Sequence, residues 1–341
     1  MTNETAFSFD NGRLAAYLEA QIDGFKGPLT AEKFAGGQSN PTFLINAASG
    51  NYVLRRKPPG ELLKSAHAVD REFKVIAALA DTDVPVAKAY HLCEDDSIIG
   101  SMFYITEYID GRVMWDPALP NVSNTDRTEI YTEMNRVLAA LHSVDIDAAG
   151  LSDYGRPGNY FERQVSRWTK QYEASKTDDI ADMDALMAWL PANMPADDGR
   201  IALTHGDFRL DNMMFAKDSN KVLALVDWEL STLGHPFADL AYQCMQLRMA
   251  ADGVMAGLGD INRAELGIPS EEDYVAQYCE RMGLDGIPNW NFYLAFSFFR
   301  FAAILQGVKK RALDGNASSN KAMAMGALVQ PLAAQGACLF Q

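Results

Sequence analysis

The stretch THGDFRLDNMMF, from Thr204 to Phe215, sets a histidine, two aspartates, an arginine and an asparagine directly ahead of an apolar run. His205, Asp207 and Asn212 have the spacing H-x-D-x-x-x-x-N, and the next apolar run ends in Asp227-Trp228-Glu229. A carboxylate at Asp207 can orient a hydroxyl and accept its proton. An amide oxygen at Asn212 and a carboxylate at Asp227 are hard donors suited to Mg²⁺, and Glu229 extends that set. Arg209, two residues past Asp207, is placed to offset charge on a transferring group. Together these are the parts that phosphoryl transfer uses. Singly, each has a plainer role. A loop aspartate usually caps a turn, His205 suits holding loop backbone better than catalysis, and Asp211 reads as solvated or loop-stabilising. The joint spacing, followed by strand, turn, strand and a further aspartate, carries the signal.

These groups need a large scaffold, and 341 residues with 48% hydrophobic and 22% charged composition supply one, enough for two domains or lobes. A formal net charge of −15 argues against a nucleic-acid partner and against a polybasic membrane anchor. The start, MTNETAFSFDNGRLAAYLEA, has no basic segment before an apolar one, so it does not read as a signal peptide. No run of 18 continuous apolar residues occurs, so no membrane partner is expected. Cys93, Cys244, Cys279 and Cys338 are scattered without a CxxC pair, which reads as buried thiols in a reducing compartment, the cytoplasm.

The first third reads as mixed α/β. Helical spacing covers 11–22, strand-like runs cover 31–35, 42–46 and 52–56, a helix follows near 68–80, and two more strands fall at 87–92 and 103–108. From IDGRVMWD onward helices dominate, at 125–143, 160–173, 182–190, 237–249, 270–281 and 290–312, with strands only at 212–215 and 222–226. The expected domains are therefore a nucleotide-binding lobe, 1–108, and a catalytic and substrate-binding lobe, 109–341. Phosphoryl transfer needs a loop over the phosphates, a strand cation and a helix acid to orient it. Gly36, Gly37, Gln38, Ser39 and Asn40 form a turn able to cradle phosphates with backbone N–H groups. The third strand, YVLRR, offers Arg55, with Arg56 and Lys57 as neighbours that compete for the role, and the next helix offers Glu72. Alternation sends Arg55 and Arg56 to opposite faces without saying which faces inward. At the join, backbone groups of Glu107 and Ile109 are placed to read adenine.

The segments LTHGDFRLDNMMF, VLALVDWELSTLGHPFADLAY and YVLRRKPPG make the sequence similar to the aminoglycoside and choline kinase-like phosphotransferases, and within them to the branch fused to acyl-CoA dehydrogenases. The resemblance spans roughly 30–315. It implies an α+β, protein-kinase-like bilobal fold and ATP- and Mg-dependent phosphorylation of a hydroxyl on a small molecule. In that reading Asp207 is the base, Asn212 and Asp227 hold metal, Arg55 and Glu72 pair, and Asp239 in FADLAY braces the loop. Antibiotic-resistance members show D-x-G-R where this chain has Asp227-Trp228-Glu229, which puts aminoglycosides in doubt as acceptors.

Recognition of the acceptor falls to the helical half. Arg163 and Arg167, four apart on one helix, and Arg300 in an apolar helix would suit an anionic hydroxy acid or hydroxyacyl-CoA. A cleft lined instead by Asp116, Asp153 and Glu162 would suit a cationic amine or aminoglycoside. Other readings are a nucleotide-binding, pseudokinase-like module, a hydrolase using His205 with the aspartates, and a protein kinase. The intact Asp207, Asn212 and Asp227 weigh against the first. No further closely spaced His or Asp ligands support the second. The third lacks an A-P-E segment and a long activation loop.

Overall fold

The computed structural model describes residues 9–34, 40–58, 68–316 and 321–341. Two units divide the chain. One comprises Met1–Arg112, Met214–Lys217 and Leu223–Leu230, the other Val113–Met213, Asp218–Val222 and Ser231–Gln341. The partition is thus not one cut near residue 108, because two short returns of the chain, one carrying Asp227 and Glu229, belong with the N-terminal unit.

In the first unit α1 (Asn11–Gln21) opens on Asp10, whose side chain accepts from the Arg13 N–H, and it buries Leu14, Ala15 and Leu18. Then come β1 (Leu29–Lys33), β2 (Thr42–Ala47), β3 (Gly50–Arg56), α2 (Val69–Ala78), β4 (Ala89–Cys93) and β5 (Phe103–Glu107). The sheet order is β1-β2-β3-β5-β4, all neighbours antiparallel. The expected meander holds through β3. After α2, β5 takes the place beside β3 and leaves β4 at the edge. Alternation buries Ile45, Leu54, Phe103 and Ile105 against Leu14 and Leu18 of α1.

The chain continues through β6 (Arg112–Val113), α3 (Asn124–His142), α4 (Tyr160–Ser175), α5 (Ala181–Ala192) and β7 (Ala202–Thr204). A 3₁₀ turn, Leu210–Asn212, leads into β8 (Met213–Phe215) and β9 (Val222–Leu225), which order as β6-β8-β9. A second 3₁₀ turn, Trp228–Leu230, precedes β10 (Thr232–Gly234), the antiparallel partner of β7. The rest is helical: α6 (Phe237–Arg248), α7 (Arg263–Leu266), α8 (Glu271–Met282), α9 (Trp290–Leu313), α10 (Ala322–Gly326) and α11 (Val329–Ala337).

α9 organises the second unit and packs on α4, α5, α6, α10 and α11. It is apolar on nearly every side, as a helix surrounded by others must be. By length and hydropathy α9 would suffice to cross a membrane, but 78% of its most apolar window is buried inside the protein. Phe161 of α4 meets Phe292, Tyr293 and Phe296 with ring centroids 5.5, 5.1 and 5.2 Å away. All four cysteines are free thiols. Cys93, Cys244 and Cys279 are buried as expected, whereas Cys338 is exposed.

The aromatic seam between α4 and α9 should dominate the stability of this unit. Phe296→Ala is expected to destabilise it by about 3–5 kcal/mol. Urea denaturation checks this; a loss below about 1 kcal/mol would mean that the seam repacks.

Candidate active site

In the N-terminal unit, strand alternation decides between the three neighbouring cations. Arg56 is buried on the face of Tyr52 and Leu54, and its Nε donates to Ser101 Oγ at 2.8 Å. Lys57 Nζ lies 3.5 Å from Asp70. Arg55 faces the other way. Its Nε lies 2.9 Å from Glu72 Oε2, and its Nη2 lies 2.8 Å from Asp227 Oδ1 and 3.6 Å from Glu229 Oε2.

Glu72 is itself fixed from two more sides. Its Oε1 accepts from Asn40 Nδ2 at 2.7 Å and its Oε2 from the Tyr104 hydroxyl at 3.0 Å. Burial pushes the Glu72 carboxyl up from its ordinary range, against the pull of Arg55, Tyr104 and Asn40. Burial pulls Arg55 toward neutrality, but Tyr104, Glu72, Asp227 and Glu229 together outweigh it and hold the guanidinium above its usual value. Arg55 is therefore a fixed cation with a planar fork, a geometry suited to phosphate oxygens.

Asp227 sits in the left-handed region, φ 68°, which aspartate tolerates better than most residues. Buried Trp228 pins the turn by donating Nε1–H to the Leu225 carbonyl at 2.9 Å. Gly36, Gly37, Gln38 and Ser39 lie outside the described residues. Asn40, the last of that run, is described and holds Glu72. At the end of β5 the Glu107 N–H donates to the Lys88 carbonyl at 2.9 Å, and half-buried Ile109 follows two residues later.

The second unit holds the loop His205–Asn212. Asp239, at the start of α6 and 1% exposed, accepts from the His205 N–H at 2.6 Å and the Gly206 N–H at 2.9 Å. Its Oδ2 also faces His142 Nε2 at 3.5 Å, and His142 Nδ1 meets the Tyr278 hydroxyl at 2.7 Å. Burial acts to raise the Asp239 carboxyl, yet His142, His205 and the Gly206 N–H overcome it and hold it below its ordinary value. The His205 ring accepts from the Asp207 N–H at 3.3 Å, which is the backbone-holding role its spacing suggests.

Asp207 is held on both oxygens. The Tyr242 hydroxyl donates to Oδ1 at 2.9 Å, and Asn212 Nδ2 donates to Oδ2 at 3.1 Å and to the Asp207 carbonyl at 2.8 Å. The Asn212 amide oxygen is thereby left as the acceptor of that group. Arg209 pairs with Asp211 and brings Nε to 3.8 Å from Asp207 Oδ1. Asp211 is thus loop-stabilising rather than solvated. Burial pushes its carboxyl up, opposed chiefly by Arg209.

Tyr242 was not anticipated as a partner of Asp207. Three residues after Asp239 on α6, it shares a helix face with the loop brace. Arg300 Nη2 donates to the Gly206 carbonyl at 2.8 Å, and its guanidinium lies 5.3 Å from the Tyr242 ring centre and 5.8 Å from that of Trp168. It serves the loop and its tyrosine. Arg163 turns back onto the carbonyls of Gly158 and Arg156, while Arg167 is exposed and stacks over Trp168.

A cavity of about 360 Å³ in this unit is walled by Arg209, Leu210 and Asp211 on one side and by α6 residues Gln243, Gln246 and Leu247 on another. Trp115, Met134, Met249 and Met255 add apolar wall, and Lys321 also lines it, so polar and apolar surface are evenly matched. None of Arg163, Arg167 and Arg300 lines it, nor do Asp116, Asp153 and Glu162. Among the described residues lining it, Asp211 is the one carboxylate, and Arg209 already neutralises that group.

A family described as the phosphotransferase enzyme family matches residues 30–276. This chain belongs to that family. It is a phosphotransferase with a kinase-like α+β fold. Acyl-CoA dehydrogenase family member 10 of Mus musculus is 50% identical over 308 residues, which are 90% of this chain and 29% of that protein. The chain spans less than half the length of the curated relatives it matches. A crystal structure from Ralstonia eutropha JMP134, named as a candidate aminoglycoside phosphotransferase, is 50% identical with TM-score 0.91, covering 97% of this chain and 98% of the other. The fold is also that of a thermostable mutant of aminoglycoside phosphotransferase APH(4)-Ia in ternary complex with AMP-PNP and hygromycin B. That protein is 15% identical, with TM-score 0.62 over 96% of this chain and 98% of the other.

The charge on Asp239 carries a pH signature. Its folded pKa lies below the unfolded value of about 3.9. The stability it contributes is therefore complete above that unfolded value and is lost as pH falls through the lower, folded one. Asp239→Asn should cost about 1–3 kcal/mol at neutral pH and flatten the acid limb of stability against pH. Urea titrations at several pH values check this, and parallel acid limbs would remove Asp239 from the account.

Proposed function

We propose that this protein is an ATP- and Mg-dependent O-phosphotransferase that phosphorylates a hydroxyl of a small metabolite, with Asp207 as the base. The observation that carries the reading is the fixing of both Asp207 oxygens, by Tyr242 and Asn212, on a loop braced by buried Asp239. A carboxylate so held can take up the hydroxyl proton as the oxygen attacks phosphorus without first reorienting. Arg209, within 3.8 Å of Asp207, is the candidate for offsetting transferred charge, although its pairing with Asp211 commits part of the guanidinium. ATP as donor is supported by the AMP-PNP complex of the fold neighbour. Arg55, oriented by Glu72, would hold phosphate oxygens, Asn40 and the preceding glycine run would cover them, and backbone groups at Glu107 and Ile109 would read the base.

Asn212, Asp227 and Glu229 carry the hard oxygen donors that Mg²⁺ prefers. Asp227, with its side chain 37% exposed, retains an oxygen beyond the one that Arg55 binds. Mg²⁺ commonly takes one or two carboxylates and completes its shell with phosphates and water, so the pair Asp227 and Glu229 fits it. Bound there, the ion would neutralise charge on the phosphates.

For the acceptor we favour a hydroxy acid or hydroxyacyl thioester over an aminoglycoside. The cavity beside the loop lacks the unpaired acids that a polycation needs, and the relatives include proteins named as acyl-CoA dehydrogenase family members. Four free thiols suit a cytoplasmic setting.

Purified protein with ATP and Mg²⁺ should phosphorylate at least one member of a pool of hydroxy acids, hydroxyacyl-CoAs, amino alcohols and aminoglycosides, read by ADP release and product mass. Asp207→Asn should lower turnover by about 10²–10⁴-fold while nucleotide binding persists. Nucleotide binding without transfer to any class would favour the binding-module reading. In the same assay Arg55→Ala should raise the KM for ATP more than it lowers kcat, and an unchanged KM would remove Arg55 from the phosphate site.

A further inference from the structure

Two amide groups beside the loop each keep one buried atom without a hydrogen-bond partner. Gln243 and Gln246 stand three residues apart on α6, so they share one face, and both line the 360 Å³ cavity that Arg209 and Asp211 also line. Gln243 is 3% exposed, and its Oε1 has no hydrogen-bond partner. Gln246 Nε2 is likewise buried and unpartnered. By contrast, Asn212 Nδ2 on the loop reaches two oxygens of Asp207. Buried polar groups are nearly always paired, and here an orphaned acceptor and an orphaned donor belong to two residues that line one cavity at the reacting loop.

We propose that Gln243 and Gln246 form the specificity-determining pair for the acceptor, and that the acceptor has an apolar body and a carbonyl beside its hydroxyl. The inference rests on the phosphotransferase reading and adds the substrate class to it. Gln246 Nε2 donates to the acceptor carbonyl, and Gln243 Oε1 accepts from a neighbouring N–H or O–H. The apolar remainder lies against Met134, Met249 and Met255 and leaves past Trp115, which is 77% exposed. Methionine walls adapt to chains of differing shape. Among the described lining residues Asp211 is the one carboxylate and it is paired, so a polycation gains no counter-ion there.

The test needs no turnover, so it stands or fails apart from the transfer reaction. The full-length protein with ¹³C-methyl-labelled methionines is titrated with N-hexylglycolamide, a neutral hydroxy amide with an apolar chain. It is titrated in parallel with 1,2-octanediol, which lacks the carbonyl, and with kanamycin. The expected result is saturable shifts of the Met134, Met249 and Met255 methyl signals, with Met183 in α5 unmoved. The amide should bind about tenfold more tightly than the diol, and Gln243→Leu should abolish that preference. Gln246→Leu, at a half-buried position, provides the same comparison if the first variant does not fold. The proposal is overturned if those methyl signals do not respond to the amide, if kanamycin moves them at lower concentration, or if the amide preference survives in a folded leucine variant.

Discussion

Asp239 is a charge with almost no contact with water, and the loop that carries Asp207 depends on it. An isolated buried carboxylate would be prohibitively costly. Here two backbone N–H groups and a histidine ring surround it, and the charged form becomes the favoured one. The consequence is geometric. With the N–H groups of His205 and Gly206 aimed at one carboxylate, the backbone between them has little freedom. Gly206 meets the requirement with φ 83°, a conformation in which any side chain would be strained. Its carbonyl is then presented to Arg300. Asp207 follows at a set point, and Tyr242, one helical turn along from Asp239, meets it there. The brace and the hydroxyl that orients the Asp207 carboxylate thus come from one face of one helix.

In the N-terminal unit the organising charge is positive. Arg55 faces Glu72, Asp227 and Glu229, so the cluster holds three carboxylates against one guanidinium. Glu72 is the buried member, tied by Asn40 and Tyr104, and acts as the anchor. Asp227 and Glu229 are the more exposed members. A surplus of negative charge on the exposed side favours the arrival of a cation and disfavours bare phosphate. That is the electrostatic pattern expected where a nucleotide arrives together with its metal. Arg serves better than Lys in such a cluster, because its fork reaches several carboxylates at once and still keeps its charge.

The sequence made much of this legible, and the boundary of legibility is physical. Helices with clear periodicity and caps, such as α3 behind Ser123, were placed to within a residue. β7 and β10 are three residues each, too short for alternation to register, and β7 is buried throughout. Alternation established that Arg55 and Arg56 face opposite sides but not which faces inward. That depended on Tyr52 and Leu54 joining the α1 core. The i, i+4 spacing of Arg163 and Arg167 suggested a shared binding face, yet Arg163 finds carbonyls just upstream of its own helix. Spacing reports which side chains are neighbours on an element. It does not report competing partners in the preceding loop.

Gln243 and Gln246 were invisible for the related reason that an unsatisfied atom is a property of the whole surroundings. Nothing in AYQCMQLR distinguishes a glutamine bonded to a carbonyl from one bonded to nothing. The same logic limits what the fold neighbours say about the acceptor. APH(4)-Ia shares the fold at 15% identity, but a fold fixes where the loop and helices stand, while recognition lies in the side chains that line the cavity between them. A polycationic sugar is held by unpaired carboxylates. Among the described residues this cavity offers one carboxylate already neutralised by Arg209, a second cation in Lys321, a methionine-rich wall, and two amides with one unpartnered atom each. None of these features raises the affinity of a polycation. Shared architecture therefore says where the loop stands, and the choice of acceptor falls to the lining.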